Sequence, residues 1–380
     1  MGAYVGPYIN EDGLVLALDA ANYKSFKGEA TTNVVGNAAS MSGWSPYSYG
    51  NDGTFITEFG TTGYKMLNRG SWNGIYKGIT LPATGTYTIS AWFRYWGGAS
   101  DNNGATVYTN GGGISDTAVA LDKSKVGVWQ RVSMTRTYST TSLGFYLISY
   151  GGTAGASNST WDVTMPQIEQ KSYATTFTDA TRGTTVATGG GWADLTGNGN
   201  NGQLVNGVRE SADNLGSLSF DGSNDYLSTS LTGTFPQITF DYWGFFDDLT
   251  LNTKSRNESA FGDWTSLRVH WGTRWSVGMH WNVNNSWTET PATNLRYGWN
   301  HFSLIWNHTA GQKLIYINSI LSTSGSTNGN MVLGDFRIGV ATNLNAYYRG
   351  NISNFKVYNR ALTANEVRRN FRANLGRFGI

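Results

Sequence analysis

Cysteine is absent from the 380 residues, which excludes disulfides and thiolate metal sites. Charge is scarce as well, because Lys plus Arg number 27 and Asp plus Glu number 25, for a net charge of +2. A protein that binds nucleic acid normally shows a basic face, so we expect no nucleic-acid partner. No apolar run approaches the roughly 18 residues needed to span a membrane, so we expect no membrane insertion. Residues 1–10 also lack the basic and apolar regions of a secretory signal.

Glycine and aromatic residues are abundant instead, with 49 Gly, 15 Trp, 21 Tyr and 17 Phe. This bias favours strands and tight turns over helices. Apolar and polar residues alternate in Thr86–Trp96 (TYTISAWFRYW), which predicts a strand, and in Leu267–Trp281, which predicts a hairpin. One helix is predicted near the end, where Thr363 to Glu366 fit a capping box and Gly376 can close the C-terminus.

Three ordered blocks resemble the laminin-G-type, concanavalin A-like jelly-roll domain. They are residues 192–207 (WADLTGNGNNGQLVNG), 217–227 (SLSFDGSNDYL) and 350–367 (GNISNFKVYNRALTANEV). The first strand of that family resembles Gly13–Phe26 (GLVLALDAANYKSF), which here stands far ahead of the turn that it normally precedes. The resemblance therefore implies a jelly roll that is interrupted after its first strand.

The interrupting residues carry a resemblance of their own. Residues 32–44, 86–96 and 161–177 are similar to a family of β-sandwich carbohydrate-binding modules, which often end in a QxExGxxATxF strand. Insertion into a surface loop is physically tolerated because the ends of a domain usually lie close together. We therefore predict an all-β fold of two antiparallel β-sandwich (jelly-roll) domains, one inserted into the first loop of the other, with a short C-terminal helix. The predicted bounds are an N-terminal arm at 1–12, a laminin-G-like domain at 13–28 plus 181–380, and an inserted module at 29–180.

The pairing of the two modules and the ending NRALTANEVRRNF…LGRFGI resemble structural proteins of tailed bacteriophages. This resemblance implies a non-enzymatic virion surface protein, such as a capsid decoration, head fibre or compact tail component, assembled in the host cytoplasm. Its implied partners are other virion proteins and host surface glycans. A secreted bacterial carbohydrate-binding or adhesion protein and a glycan-degrading enzyme remain alternatives, and the sequence leaves a homo-oligomer open.

Exposed aromatic rings are the most direct candidates for contact with sugars, since sugar C–H faces stack on them. The alternative for each of these rings is packing in the hydrophobic core. The candidates are Trp44, Tyr47, Trp72, Tyr76, Trp92, Trp96, Trp264 and Trp287.

No motif predicts catalysis. The adjacent pair Asp247–Asp248 lacks the spacing of a glycosidase carboxylate pair, and its side chains would diverge in a strand. The four histidines, His270, His280, His301 and His308, are interpreted as surface residues. No cofactor is expected apart from calcium, for which Asp221, Asn224 and Asp225 form an oxygen cluster on a predicted loop. Turns that bond their own backbone are the alternative for that cluster.

Overall fold

The structure is a computed structural model. It describes residues 8–47, 53–68, 73–98, 105–111, 114–117, 121–149, 159–211, 216–246, 258–263, 267–272, 278–283, 286–291, 295–341 and 346–379. The chain divides into two compact units. The split unit comprises residues 1–29 and 183–380, and the inserted unit comprises residues 30–182.

Almost all regular structure is strand. The chain begins with β1 (Leu14–Asp19). The strands of the inserted unit are β2 (Thr31–Thr32), β3 (Ser45–Tyr47), β4 (Thr54–Glu58), β5 (Thr61–Asn68), β6 (Asn73–Thr80), β7 (Gly85–Gly97), β8 (Ala105–Gly111), β9 (Ile114–Thr117), β10 (Trp129–Tyr138), β11 (Ser142–Ser149), β12 (Ser159–Glu169) and β13 (Thr181–Arg182). The split unit continues with β14 (Gly202–Val205), β15 (Arg209–Ser211), β16 (Ser217–Asp221), β17 (Tyr226–Thr229), β18 (Gly233–Phe235), β19 (Gln237–Phe246), β20 (Glu258–Gly262), β21 (Leu267–Gly272), β22 (Gly278–Val283), β23 (Ser286–Pro291), β24 (Gly298–Asn307), β25 (Gln312–Ile317), β26 (Ile320–Ser326), β27 (Met331–Leu333), β28 (Arg337–Ile338), β29 (Val340–Ala341), β30 (Ala346–Tyr347), β31 (Arg349–Tyr358) and the helix α1 (Ala364–Phe378). Single 3-10 turns lie at Val186–Thr188 and His308–Ala310.

The inserted unit is a sandwich of two five-stranded antiparallel sheets, in the orders β10-β7-β12-β5-β4 and β3-β6-β11-β8-β9. The alternation predicted for 86–96 is confirmed, because Ile89 and Phe93 of β7 are fully buried in the core with Phe145 of β11 and Trp161 of β12. The two ends of this unit pair with each other through β2 and β13. The chain therefore leaves the inserted unit beside the point where it enters.

The split unit is a second sandwich, with an eight-stranded sheet in the order β15-β16-β31-β19-β24-β25-β26, to which β1 is added through β31, and a seven-stranded sheet in the order β14-β17-β28-β20-β21-β22-β23. Strand β1 pairs antiparallel with β31, with Leu18 opposite Phe355. The first strand of the chain thus pairs with the last one, which places β1 in the split unit. The predicted hairpin is also confirmed, since β21 pairs with β22 and sets Val269 opposite Trp281 in the core. The all-β fold class is therefore as predicted.

The helix α1 begins as the sequence predicts and ends later. The Thr363 hydroxyl accepts from the Glu366 amide, and the Glu366 carboxylate accepts from the Thr363 amide, which completes the capping box. The helix runs through Gly376 and ends at Phe378, and Gly379, with a φ of 65°, forms its left-handed C-terminal cap. The prediction that Gly376 closes the helix is therefore wrong, because a further turn packs Phe378 against Trp243 at a ring-centroid distance of 4.2 Å. Among the described residues, no helix is long and apolar enough to cross a membrane.

Candidate functional site

Four tyrosines of the inserted unit form one continuous aromatic surface, the tyrosine platform, made of Tyr47, Tyr76, Tyr108 and Tyr146. Tyr146 on β11 lies directly opposite Tyr76 of β6 on one side and Tyr108 of β8 on the other. The rings of Tyr76 and Tyr146 are stacked with centroids 5.6 Å apart, and those of Tyr108 and Tyr146 are 5.1 Å apart. Tyr47 on β3 adds an edge-on contact with Tyr146 at 4.8 Å. The platform therefore crosses four neighbouring strands, β3, β6, β11 and β8, without a break.

Strand alternation places the platform on the face away from the core. Phe145 and Leu147 on either side of Tyr146 are fully buried in the core, so Tyr146 must point to the other face. Glycine makes room for its ring, since a Cβ atom built on Gly144 would lie 2.7 Å from the Tyr146 ring. A Cβ atom on the neighbouring Gly78 would meet nothing within 4 Å. The Tyr146 ring thus lies against the sheet backbone, beside an open strip.

The platform is partly accessible and uncharged. Tyr76 is 38% exposed, Tyr47 and Tyr146 are half-buried, and Tyr108 is buried at 9% exposure. Burial raises the pKa of Tyr146, and the neighbouring phenols raise it further, so its hydroxyl stays protonated at neutral pH. A protonated phenol can both donate and accept hydrogen bonds, while its ring face offers apolar area. This arrangement can stack against a sugar ring and also bond its hydroxyls.

The opposite sheet of the inserted unit carries a ladder of cation–π contacts. The Arg94 guanidinium lies 4.4 Å from the ring centroids of both Trp96 and Trp129. Asp162 holds Arg94 in place by accepting from its Nε and Nη2 atoms at 3.1 and 2.7 Å, and it also accepts from the Trp96 indole. Glu58 completes the ion-pair network. Arg94 therefore covers one face of the Trp96 ring and one face of the Trp129 ring, which favours a role for these tryptophans in stabilising the sheet.

The predicted aromatic candidates separate into four groups. Tyr47 and Tyr76 belong to the tyrosine platform, and Trp92 and Trp96 lie on the sheet of the ladder, half-buried and 45% exposed respectively. Trp44 is buried in the core against Phe145, so its assignment as a sugar contact is corrected. The remaining three are Trp72 and Trp264, which lie outside the described residues, and Trp287, which is on β23 but whose side chain is not described.

Sequence reasoning missed Tyr108 and Tyr146, which form the centre of the platform. Both lie in short strands where apolar residues occur on both sides, so no clean alternation marks the outer face. The one available signal is Gly144, two residues before Tyr146, because a strand glycine often marks a close approach.

The predicted calcium residues form a turn that bonds its own backbone. The buried Asp225 carboxylate accepts from the amides of Gly207 and Asp221 at 2.7 and 3.1 Å. Asp221 in turn accepts from the amides of Ser223 and Asn224. Burial raises the pKa of Asp225, and no group of three or more His, Asp or Glu that could hold a metal occurs in the described part of the chain. Calcium at this turn stays a prediction.

The histidine interpretation is wrong for His301. This residue is fully buried, with its Nε2 atom 3.0 Å from the Asp241 carboxylate, because α1 packs Phe371 over it. His308 is half-buried. His270 and His280 are register partners in the pairing of β21 with β22, and their side chains are not described.

Residues 220–368 match the laminin G family model described as the concanavalin A-like lectin/glucanases superfamily. This match supports the jelly roll predicted for the split unit. Asp247 and Asp248 fall within the matched range but outside the described residues. No curated protein gives a significant match.

Several solved structures are similar to part of the chain. Domain 4 of AbnA, a GH43 extracellular arabinanase from Geobacillus stearothermophilus solved with arabinotriose, is 16% identical over 47% of this chain and 91% of its own, with a TM-score of 0.38. The binding domain of Paraclostridial Mosquitocidal Protein 1 is 17% identical over 47% of this chain and 49% of its own (TM-score 0.39). The receptor-binding domain of botulinum neurotoxin C/D mosaic serotype is 12% identical over 48% of each chain (TM-score 0.40). This chain thus spans about half the length of the two toxin domains, and at these scores the likenesses carry no conclusion on function.

Proposed function

We propose that the protein is a non-enzymatic glycan-binding protein and that the tyrosine platform is its sugar contact. The observation that carries this proposal is the unbroken row of Tyr76, Tyr146 and Tyr108 across three paired strands. Tyr76 and Tyr146 are the accessible rings of this row and can offer apolar area to a sugar ring, whereas Tyr108 is buried and packs against Tyr146. Aromatic side chains supply such contact area at low entropic cost.

The chemistry of the platform supports binding rather than catalysis. Glycosidases place two carboxyl groups about 5–9.5 Å apart on either side of the scissile bond. The platform consists of phenols, and the raised pKa of Tyr146 makes its phenol a still weaker acid. A phenol row holds a glycan without protonating its glycosidic oxygen.

The proposed setting is the surface of a tailed-bacteriophage virion, where the platform would meet glycans of the host. The support for this setting is the sequence resemblance of the module pair and of the C-terminal ending. Mass spectrometry of purified particles tests it, since the chain is expected among the virion proteins. Absence of the chain from intact particles would refute the virion setting and leave the glycan contact to be judged separately.

Affinity electrophoresis of the full chain in gels that contain bacterial polysaccharides tests the sugar contact. We expect Tyr76→Ala and Tyr146→Ala each to weaken retention by about fivefold, because an aromatic contact is worth ~1 kcal/mol. Tyr23→Ala is the matched control, since Tyr23 is a 69% exposed tyrosine of the split unit. Thermal unfolding verifies that each variant is folded. Unchanged retention of both platform variants, or an equal loss in Tyr23→Ala, would contradict the proposal.

A further inference from the structure

A lysine, an asparagine and an aspartate meet on the eight-stranded sheet of the split unit. Phe355 and Val357 of β31 point into the core between the sheets, so Asn354 and Lys356 point together to the opposite face. Asp241 of β19 is the register partner of Lys356. The exposed fraction is 0% for Asp241, 1% for Asn354 and 5% for Lys356. The three polar side chains therefore form a buried cluster outside the hydrophobic core.

The amine and the amide of this cluster are in direct contact. The Lys356 Nζ atom donates to the Asn354 Oδ1 atom at 2.8 Å. Because a C=O bond is about 1.2 Å long, Nζ lies at most about 4 Å from the Asn354 Cγ carbon. The Asn354 Nδ2 atom has no hydrogen-bond partner among the described residues, so no described group holds this nitrogen in place. Two groups fixed this closely by one strand have a large entropic advantage for reaction.

The helix α1 covers the cluster and keeps it dry. Phe371 of α1 stacks on the Trp243 ring and also contacts the His301 ring, with centroids 5.7 Å apart in both pairs. The Asp241 carboxylate lies 3.0 Å from the His301 Nε2 atom and accepts from the Ser303 hydroxyl at 2.7 Å. These contacts fix the position of the carboxylate. Exclusion of water also prevents hydrolysis from competing with attack by an amine.

Asp241 is the group that can take a proton from Lys356. Burial opposes its charge, but His301 and Lys356 outweigh burial and lower the pKa of this carboxyl, which is therefore ionised. Its Oδ1 atom lies 3.4 Å from the Lys356 Nζ atom. Removal of one proton converts the ammonium into a nucleophilic amine. Because a carboxylate with a lowered pKa is a weak base, this transfer is unfavourable and the reaction that follows it is slow.

We propose that Lys356 and Asn354 become joined by an intramolecular isopeptide bond, with Asp241 as the general base. The Lys356 ammonium gives one proton to Asp241, and the free amine attacks the Asn354 Cγ carbon. A second proton passes from Nζ to Nδ2, the Cγ–Nδ2 bond breaks, and ammonia leaves. The ammonia then takes the proton from Asp241, so that one ammonium and one primary amide give one secondary amide and an ammonium ion. The new bond replaces a buried ammonium, which is costly to desolvate, by a neutral amide.

Peptide mass spectrometry of the folded full chain after trypsin digestion tests this bond. Trypsin cleaves after Lys356 only while its amine is free, so the bond predicts a single peptide of residues 350–360. We expect this peptide to be lighter than its sequence mass by one ammonia, in a fraction that grows during storage of the folded protein. A succinimide at Asn354 also loses ammonia, but it leaves Lys356 cleavable and is opened by hydroxylamine.

Variants of the three residues separate the bond from an ordinary ion pair. Lys356→Arg keeps the cation and Asn354→Ala removes the amide, and each should abolish the ammonia loss completely. Asp241→Asn should slow bond formation by about a hundredfold, the usual contribution of a general base. Asn351→Ala is the matched control, because Asn351 is a half-buried asparagine in the same peptide, and it should keep the loss.

Circular dichroism verifies the fold of each variant, and the wild type alone decides the question if the variants do not fold. Complete cleavage after Lys356 at the full sequence mass, both in fresh protein and after prolonged storage, would overturn the proposal. Ammonia loss from this peptide that persists in Lys356→Arg, or that hydroxylamine reverses, would overturn it as well.

Discussion

At the scale of single residues, Lys313 is a buried lysine in the core of the split unit. It is fully buried, and its ammonium lies 6.0 and 5.9 Å from the ring centroids of Trp281 and Trp306. Burial lowers the pKa of Lys313 to about 8, because a charged amine loses its hydration there. Cation–π contacts with the Trp281 and Trp306 rings offset part of the lost hydration energy.

The pH dependence of stability follows from this lowered pKa. Between about pH 8 and pH 10.5 the unfolded chain binds the Lys313 proton more strongly than the folded chain, so the free energy of unfolding rises with pH in that window. Lys313→Met removes this contribution while all tyrosines titrate as before. Urea denaturation at pH 7.5 and pH 10 should show the wild type gaining on the order of 2 kcal/mol relative to the variant. Parallel changes in the two proteins would contradict the account.

The limits of sequence reasoning are also visible at single residues. The sequence predicts Tyr47 and Tyr76 as sugar contacts on loops, whereas they lie in strands β3 and β6 with their rings in contact. Trp44 has the same local pattern but packs into the core, which only the tertiary fold decides. His301 looked like a surface residue because α1, which covers it, is far away in the sequence.

At the scale of elements, β1 determines how the split unit is assembled. Its residues Leu16 and Leu18 are buried in the core, and its edge away from β31 is covered by the Asp194 carboxylate, which accepts from the Ala17 amide at 3.0 Å. The family-like motif at 13–26 and the apolar run at 14–18 made this strand predictable from sequence. The local sequence pattern alone did not predict that Asp194, which lies beyond the inserted unit in the chain, would accept a hydrogen bond from β1.

Two deletions test whether β1 belongs to the split unit as a folding element. Joining Glu29 to Gly183 by a short linker removes the inserted unit and should leave a cooperatively folded protein, since β1 keeps its partner β31. Deleting residues 1–26 should unfold the split unit, because it exposes the core that Leu16 and Leu18 cover. Circular dichroism with thermal melting measures whether each of the two deletion variants is folded and unfolds cooperatively. A folded split unit after the second deletion would show that β1 is dispensable.

At the scale of the whole molecule, the uncharged tyrosine platform belongs to a chain that carries little net charge. The overall charge is only +2, with 14% charged residues, so long-range attraction contributes little to the capture of a target. Recognition in this account depends on ring stacking and hydrogen bonds at short range.

The most direct test of the glycan contact is a crystal structure of the full chain soaked with the oligosaccharide that affinity electrophoresis selects. We expect sugar rings with their C–H faces over Tyr76 and Tyr146, beside the strip formed by Gly78 and Gly144. Oligosaccharide bound elsewhere on the inserted unit, with the platform accessible in the crystal and empty, would contradict the account.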